Sequence, residues 1–219
     1  MASRGIKLNI LASLLAWVVI NLPLHAQHLQ EGDLLFACSD TANAITDVTS
    51  GIDKLPIDHV AVVHRIGGHG GPLYVIEAVK PTVCLTPLDA FMRENGRVLH
   101  ARVNAQLDTT ASIRRCLRLV GRPYDDLYLP GDSAVYCSEL VQMSYVDRAG
   151  TLIFDPVPMS FHDQTGQVTE YWLEFYRHRG MAVPEGAPGT NPGELSRRPQ
   201  VTVLGFYSLP DKKTGAACL

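Results

Sequence analysis

Residues 58–78 read DHVAVVHRIGGHGGPLYVIEA, and this stretch decides the fold. An apolar run, Val60 to Val63, is followed by the glycine-rich segment 67–71 and by a second apolar run, Leu73 to Ala78. Short runs rich in valine and isoleucine on either side of a glycine-rich turn are typical of paired strands. The stretch therefore predicts an antiparallel β-hairpin.

Strands and helices alternate in the rest of the chain. Apolar runs predict strands at 34–38, 83–85, 98–103 and 201–207. Capping signals and helical spacing predict a helix capped by Thr86 and closed by Gly96, and a second helix capped by Thr109 or Thr110. They predict two more helices at 134–149 and 170–178. Residues 39–57 form a long predicted loop that suits a lid or a site wall, and 184–199 is rich in Pro and Gly. This pattern predicts a single α+β domain.

Glu77 stands inside the second apolar strand of the hairpin. A carboxylate in such a strand is costly unless it has a partner, and His59, at the start of the neighbouring strand, is a fitting one. We interpret His59 as a general base and Glu77 as the group that holds its ring and fixes the tautomer. A lone histidine would more often be structural, so the pairing with Glu77 carries this interpretation.

Cys137 is the candidate nucleophile. It lies in Tyr136-Cys137-Ser138-Glu139-Leu140-Val141, where the pattern predicts the first turn of a helix. The free amides and the dipole at a helix start favour an anion, so a thiolate would be stabilised there. The alternative is a small buried residue that happens to begin a helix. The other cysteines at 38, 84, 116 and 218 form no Cys-x-x-Cys pair, and whether they are free or disulfide-bonded stays open.

The N-terminus has the three parts of a secretory signal. Arg4 and Lys7 precede an apolar run from Leu8 to Leu22, and Leu24-His25-Ala26 completes a cleavage site. We expect residues 1–26 to be a signal peptide and 27–219 to be an exported domain, periplasmic or secreted, with no stable membrane span after cleavage. An uncleaved anchor is the alternative, although Asn21 and Pro23 interrupt the run early.

Charge and histidine spacing argue against two other classes of function. The formal charge is −3 and falls to −5 without Arg4 and Lys7, and no basic run is present, which disfavours nucleic acid as a partner. His59, His64 and His69 are the obvious metal candidates. However, residues five apart on a strand face opposite sides of the sheet, and His69 lies in the glycine-rich turn. We predict no metal or other cofactor.

Five segments in order resemble the permuted NlpC-type papain-like cysteine amidases, the YiiX/YebB-like group, which are similar in layout to the lecithin:retinol acyltransferases. They are Gly32-Asp33-Leu34-Leu35-Phe36, His59-Val60-Ala61-Val62-Val63, Val75-Ile76-Glu77-Ala78, Gly121-Arg122-Pro123-Tyr124-Asp125 and Tyr136-Cys137-Ser138-Glu139-Leu140-Val141. The resemblance implies a circularly permuted papain-like fold, an antiparallel sheet with the nucleophile helix packed against it. It also implies that Cys137 attacks a carbonyl and that His59 takes and returns the proton.

The third residue of such a catalytic unit varies in the superfamily, and Glu77 is the candidate for it here. Asp58 and Glu139 are poorer orienters, since Asp58 alternates to the other strand face and Glu139 lies on the far side of the helix from Cys137. The Cys137 N–H is the expected first oxyanion donor, and the second is not identified.

The substrate is the most open question. Exported amidases of this kind meet cell-wall peptides, which are the first expectation. A lipid amide or ester hydrolase or acyltransferase using the same thiol is an alternative, and so is a binding module that kept the fold and lost the chemistry.

Overall fold

A computed structural model of the protein describes residues 28–131 and 133–209. The predicted signal peptide, 1–26, and Cys218 lie outside the described residues. The central element is a six-stranded antiparallel sheet in the order β4-β3-β2-β1-β5-β8. The strands of this sheet are β1 (Leu34–Cys38), β2 (Ile57–Arg65), β3 (Leu73–Ala78), β4 (Val83–Pro87), β5 (Arg97–Val103) and β8 (Val201–Tyr207). A short pair, β6 (Val157–Pro158) and β7 (Pro188–Gly189), forms a second sheet.

In the described part of the chain, five α-helices accompany the sheets: α1 (Leu88–Glu94), α2 (Thr109–Leu119), α3 (Cys137–Ser144), α4 (Glu170–Arg177) and α5 (Pro192–Ser196). Helix α3 packs against β2 and β3, where Leu140 and Val141 join Val60, Val62 and Ile76 in the largest apolar cluster of the core. Helix α1 contributes Leu88 and Phe91 to a second cluster. The α+β class and the antiparallel sheet with the Cys137 helix packed against it are confirmed.

The predicted hairpin is formed by β2 and β3. Val62 pairs with Ile76 and Val63 with Val75, so the register brings His59 and Glu77 to diagonal positions on one face. Strand β2 starts at Ile57, which is earlier than predicted, and His59 is its third residue. A bulge opposite Cys38 leaves Asp58 without a ladder partner on β1.

The helix predicted over 134–149 is shorter at both ends. Val135 forms a bridge with Tyr124, which holds the chain extended up to Cys137. Tyr145 leaves the helix with extended backbone, and its buried hydroxyl donates to the Gly32 carbonyl at 2.9 Å. Pairing with distant segments therefore overrides helical spacing outside Cys137–Ser144.

Two predicted helix caps are also wrong. Thr86 does not cap α1, because it pairs with Val75 in the sheet and Pro87 takes the cap position. Asp108, rather than Thr109 or Thr110, caps α2 and accepts from the Ala111 amide at 2.9 Å. Asp108 thus supplies a side-chain cap for α2, whereas the side chain of Pro87 supplies none for α1.

Helix α5 holds the long loop, 39–57, in place. The Ser196 hydroxyl accepts from the Ile52 amide at 3.0 Å and donates to the Gly193 carbonyl at 2.7 Å. Gly193 lies against the loop backbone, since a Cβ there would be 3.0 Å from the Ser50 carbonyl and 3.1 Å from the Gly51 nitrogen. Among the described residues, none of the helices is long and apolar enough to cross a membrane.

Gly193→Ala is expected to lower the free energy of unfolding by about 1–3 kcal/mol, because the added methyl group pushes α5 away from the loop backbone. Urea unfolding measures the change. Gly96→Ala is the matched control, since its Cβ would meet only an Asp40 oxygen at 3.7 Å. Equal stability of the two variants would show that α5 does not need close contact with the loop.

Candidate active site

His59 and Glu77 form a direct contact across the hairpin. His59 Nε2 lies 2.7 Å from Glu77 Oε2, and the two side chains are 16% and 5% exposed. The antiparallel register explains the contact, since diagonal residues on one sheet face lie within reach of long side chains. The contact occupies Nε2 and leaves Nδ1 for another partner.

The Glu77 carboxylate has a second partner that sequence reasoning missed. The Thr86 hydroxyl donates to it from β4, where Cys84 pairs with Glu77 and Thr86 follows two residues later on the same face. Burial raises the pKa of Glu77, but the hydrogen bond and charge of His59 and the Thr86 bond together hold it below its ordinary value. Glu77 is therefore ionised at neutral pH.

Cys137 is the first residue of α3, and Tyr136 occupies the cap position with extended backbone. The amides of a first helical turn have no partner within the helix and point outward from its end. The Cys137 side chain is largely buried and reaches one wall of a cleft.

The His59 ring interacts with Cys137 as well as Glu77. Burial lowers the pKa of His59, but hydrogen bonds and charge interactions with Cys137 and Glu77 outweigh it and raise the pKa to about 10. Because Nε2 bonds Glu77, Nδ1 is the nitrogen available to the thiol. Phe91 packs beside the ring, with centroids 6.2 Å apart. The three residues selected from the sequence thus lie together.

The two residues that were judged poorer orienters act elsewhere. The Asp58 carboxylate accepts from the Asn43 side-chain amide at 2.7 Å, which ties β2 to the long loop. Glu139 is buried on α3, and the groups that act on the pKa of His59 are Cys137 and Glu77.

A cleft lies beside the Cys137 thiol. The long loop, 39–57, contributes Ile45, Val48 and Thr49 to one wall of the cleft. This agrees with the prediction that the loop suits a site wall. The aromatic residues of the lining are Tyr124, Tyr128, Tyr136, Phe161 and Trp172. His59 is not part of the lining, whereas its chain neighbour Asp58 is.

Two tyrosine hydroxyls face each other near the thiol. The oxygens of Tyr124 and Tyr128 are 3.4 Å apart, and the charge of Cys137 acts on both rings. Burial raises the pKa of Tyr128 to about 12 and that of Tyr124 further, so both remain protonated hydrogen-bond donors. Tyr124 belongs to the Gly-Arg-Pro-Tyr-Asp segment noted in the sequence, but its position near Cys137 depends on tertiary structure.

The Pro/Gly-rich segment closes the cleft over Tyr136. The Tyr136 hydroxyl accepts from the Thr190 amide at 3.0 Å and lies 3.7 Å from Met159 Sδ. Gly189 permits this approach, since a Cβ there would lie 2.4 Å from Met159 Sδ. The segment 184–199 therefore contains a strand and a helix and contributes residues to the lining of the cleft.

The histidines considered for a metal site have separate partners. His64 Nδ1 lies 2.6 Å from Glu31 Oε1, whereas His59 bonds Glu77. Across 28–131 and 133–209, no group of three or more His, Cys, Asp or Glu residues is placed to hold a metal ion.

Comparison with known proteins places this geometry in a family. The family model "Permuted papain-like amidase enzyme, YaeF/YiiX, C92 family" matches residues 28–205, which confirms the resemblance seen in the sequence. The Escherichia coli K12 "Uncharacterized protein YiiX" is 26% identical over 202 residues, covering 85% of this chain and 91% of its own. A crystal structure of "metalloprotein yiiX" from Escherichia coli O157:H7 has a TM-score of 0.66 at 24% identity, covering 83% of this chain and 98% of its own. This last likeness shows the shared fold.

Among the four described cysteines, all of them free thiols, Cys137 is expected to react first with iodoacetamide. Burial raises the pKa of Cys38 and raises that of Cys116 to about 11, so both are poor nucleophiles at neutral pH. Peptide mapping after short exposure measures the order. In His59→Ala, labelling of Cys137 should slow while half-buried Cys84 is unchanged. Labelling of Cys84 before Cys137 in the unmodified protein would contradict the assignment.

Proposed function

The chain belongs to the permuted papain-like amidases of the C92 family, and we propose that Cys137, His59 and Glu77 are its catalytic unit, cleaving an amide through an acyl-enzyme. The observation that carries this proposal is the His59 ring, which bonds Glu77 at 2.7 Å and interacts with the Cys137 thiol. A nucleophile, a base and a group that orients the base are the parts that nucleophilic catalysis requires.

His59 takes the thiol proton before the attack, and in the first step Cys137 Sγ attacks the substrate carbonyl. The new C–S bond forms as the carbonyl π pair moves onto oxygen, which gives a tetrahedral oxyanion. Because the pKa of His59 is about 10, the ring keeps this proton at neutral pH until the leaving group takes it.

The oxyanion needs donors at the start of α3. The Cys137 amide is the first, since it belongs to the unpaired first turn of the helix. The Tyr124 and Tyr128 hydroxyls are side-chain candidates for the second, because the charge of Cys137 acts on both rings and both remain protonated.

The intermediate then collapses. The C–N bond breaks as His59 returns its proton to the leaving nitrogen, and the acyl group stays on sulfur as a thioester. Water then gives a proton to His59 and attacks the thioester carbonyl. The C–S bond breaks, the acid is released, and His59 returns the proton to the sulfur, which restores the thiol. Glu77 stays ionised throughout and stabilises the imidazolium in both halves.

Cell-wall peptides remain a candidate substrate, because residues 27–219 are expected to be exported and an exported amidase would meet such peptides. Export rests on Arg4, Lys7 and the apolar run before Ala26. Intact-mass analysis should find the exported chain starting at Gln27, and exported protein that retains residues 1–26 would contradict it. A lipid amide or ester is the second candidate, favoured by the apolar lining of the cleft beside Cys137.

Amine release from stem peptides and acyl 4-nitroanilides tests the proposed chemistry. We expect turnover by the unmodified protein, loss in Cys137→Ala, and no loss after treatment with a metal chelator. Turnover that survives Cys137→Ala, or that a chelator abolishes and metal restores, would overturn the thiol mechanism. A folded protein that turns over none of the panel would favour the binding-module alternative.

A further inference from the structure

The C-terminal ends of α2 and α3 meet at a surface concavity that the proposed amidase reaction does not use. Three arginines and three neighbouring residues line this arginine concavity: Arg115, Arg118, Arg122, Leu119, Met143 and Ser144. Helix α3 begins at Cys137 and ends at Ser144, so the concavity lies about 10 Å along the helix from the nucleophile. It is therefore separate from the catalytic unit, although both involve α3.

We propose that the arginine concavity binds a phosphate monoester. Such a group carries about 1.5 to 2 negative charges near neutral pH and offers three strong acceptor oxygens. Guanidinium groups bind phosphate through paired N–H donors, a geometry that a lysine ammonium does not provide. The proposal rests on the charge of the lining, on the partners of two of the arginines, and on the charge of the helix ends beneath them.

The arginine concavity is cationic in a protein that is acidic overall. Its lining has three arginines and, among the described residues, no Asp or Glu. The formal charge of the whole chain is −3, so this cluster does not follow from a generally basic surface. Guanidinium groups that share one concavity repel each other unless negative charge lies between them. An anion from outside the chain would relieve this repulsion.

Two of the three guanidinium groups have no carboxylate partner. Arg115 donates from Nε and Nη2 to the Met143 carbonyl, at 3.1 and 3.0 Å. Within the part of the chain that the structure describes, neither Arg115 nor Arg118 forms an ion pair, whereas Arg102 bonds the Asp33 carboxylate at 2.7 Å. The remaining N–H groups of Arg115 and Arg118 are therefore available to a ligand.

The alternative is that the arginines only stabilise the two helix ends. Cations are favourable at a helix C-terminus, and the bond from Arg115 to the Met143 carbonyl is an interaction of this kind. Each helix C-terminus carries about half a negative charge, so two of them supply about one, against one positive charge from each of the three arginines. About two positive charges remain, which matches the charge of a phosphate monoester.

Isothermal titration calorimetry with glycerol 3-phosphate tests the site. We expect saturable binding to the unmodified protein with a dissociation constant of about 0.1–1 mM, because a few charge-assisted hydrogen bonds at an open surface give moderate affinity. Acetate should bind about 10-fold more weakly or worse, because it has one charge and two oxygens. Absence of saturable binding, or equal affinity for acetate, would overturn the phosphate site.

A variant pair locates the binding. Arg118→Gln should weaken the binding of glycerol 3-phosphate by about 10-fold, because it removes one charged donor from the lining. Arg114→Gln is the matched control, since Arg114 is an exposed residue of the same helix, loses the same charge and lies outside the lining. Equal weakening in the two variants would mean that the ester responds to the overall charge of the protein, which refutes the arginine concavity as its site.

Thermal unfolding separates a ligand site from helix capping. Because the guanidinium groups repel each other in the free protein, Arg118→Gln should keep or raise the melting temperature. Glycerol 3-phosphate should raise the melting temperature of the unmodified protein more than that of the variant. A lower melting temperature in Arg118→Gln, with no stabilisation of the unmodified protein by the ester, would assign the arginines to helix capping alone.

Vesicle binding distinguishes a free ester from a lipid headgroup. Phosphatidic acid presents the same phosphate monoester on a membrane, and phosphatidylcholine vesicles are the control. Co-sedimentation with phosphatidic acid that is lost in Arg118→Gln and kept in Arg114→Gln would identify a lipid headgroup as the source of the phosphate. Binding of glycerol 3-phosphate without co-sedimentation would identify a free ester. Failure of both probes to bind would overturn the proposal.

Discussion

His59→Ala is expected to remove turnover nearly as completely as Cys137→Ala, by about 10³- to 10⁶-fold in kcat/KM. The ring accepts the thiol proton before attack and donates it to the leaving nitrogen afterwards, so its loss affects both halves of the reaction. The two losses should match, because residues that act as a unit are not additive.

His64→Ala is the matched control for this prediction. His64 lies on the same strand and bonds Glu31 at 2.6 Å, so its replacement changes a histidine–carboxylate pair without touching the thiol. Steady-state kinetics of both variants, with circular dichroism to verify folding, decide the result. A His59→Ala protein that is folded and keeps activity within a few-fold of His64→Ala would refute His59 as the base.

Glu77→Gln is expected to lower kcat/KM by about 10- to 1,000-fold while the fold survives. Glutamine keeps the shape and one hydrogen bond to the ring but loses the charge that stabilises the imidazolium. In the double variant Glu77→Gln/His59→Ala, the loss should be close to that of His59→Ala alone. A fully additive double loss would mean that Glu77 acts apart from His59.

The pH profile separates an electrostatic role of Glu77 from a merely structural one. The ring is protonated below its pKa of about 10, so activity that needs the imidazolium is lost as the pH rises through that value. Glu77 raises the pKa of His59, and removal of its charge therefore lowers it. The alkaline loss of activity should begin at lower pH in Glu77→Gln. An unchanged alkaline limb would assign Glu77 a structural role alone.

The hairpin and the presence of a helix at Cys137 could be predicted because their signals are local. The glycine-rich turn forces the two apolar runs of 58–78 to pair, and an acid in one strand demands a partner on the next. The end of α3 could not be predicted, since Tyr145 leaves the helix to bond the distant Gly32 carbonyl. A prediction from the residue pattern uses helical spacing, so it cannot detect a hydrogen-bond partner that lies far away in the chain.

The cleft could not be predicted from the sequence for the same reason. Its walls come from the long loop, the Tyr124–Tyr136 region and the segments around Phe161 and Trp172, which are far apart in the chain. The sequence favours Thr86 as a helix cap, because a threonine hydroxyl suits a helix cap as well as a position in a strand. Only the β3–β4 register shows that it lies beside Glu77. Residues that act through tertiary contacts carry little local signal.

Rapid acid quench of the protein during turnover, followed by peptide mapping, tests the central claim most directly. We predict that the peptide containing Cys137 gains the mass of the acyl group, that the adduct behaves as a thioester, and that Cys137→Ala shows none. The acyl mass on any other residue, or sustained turnover with no adduct on Cys137 at any quench time, would contradict the account.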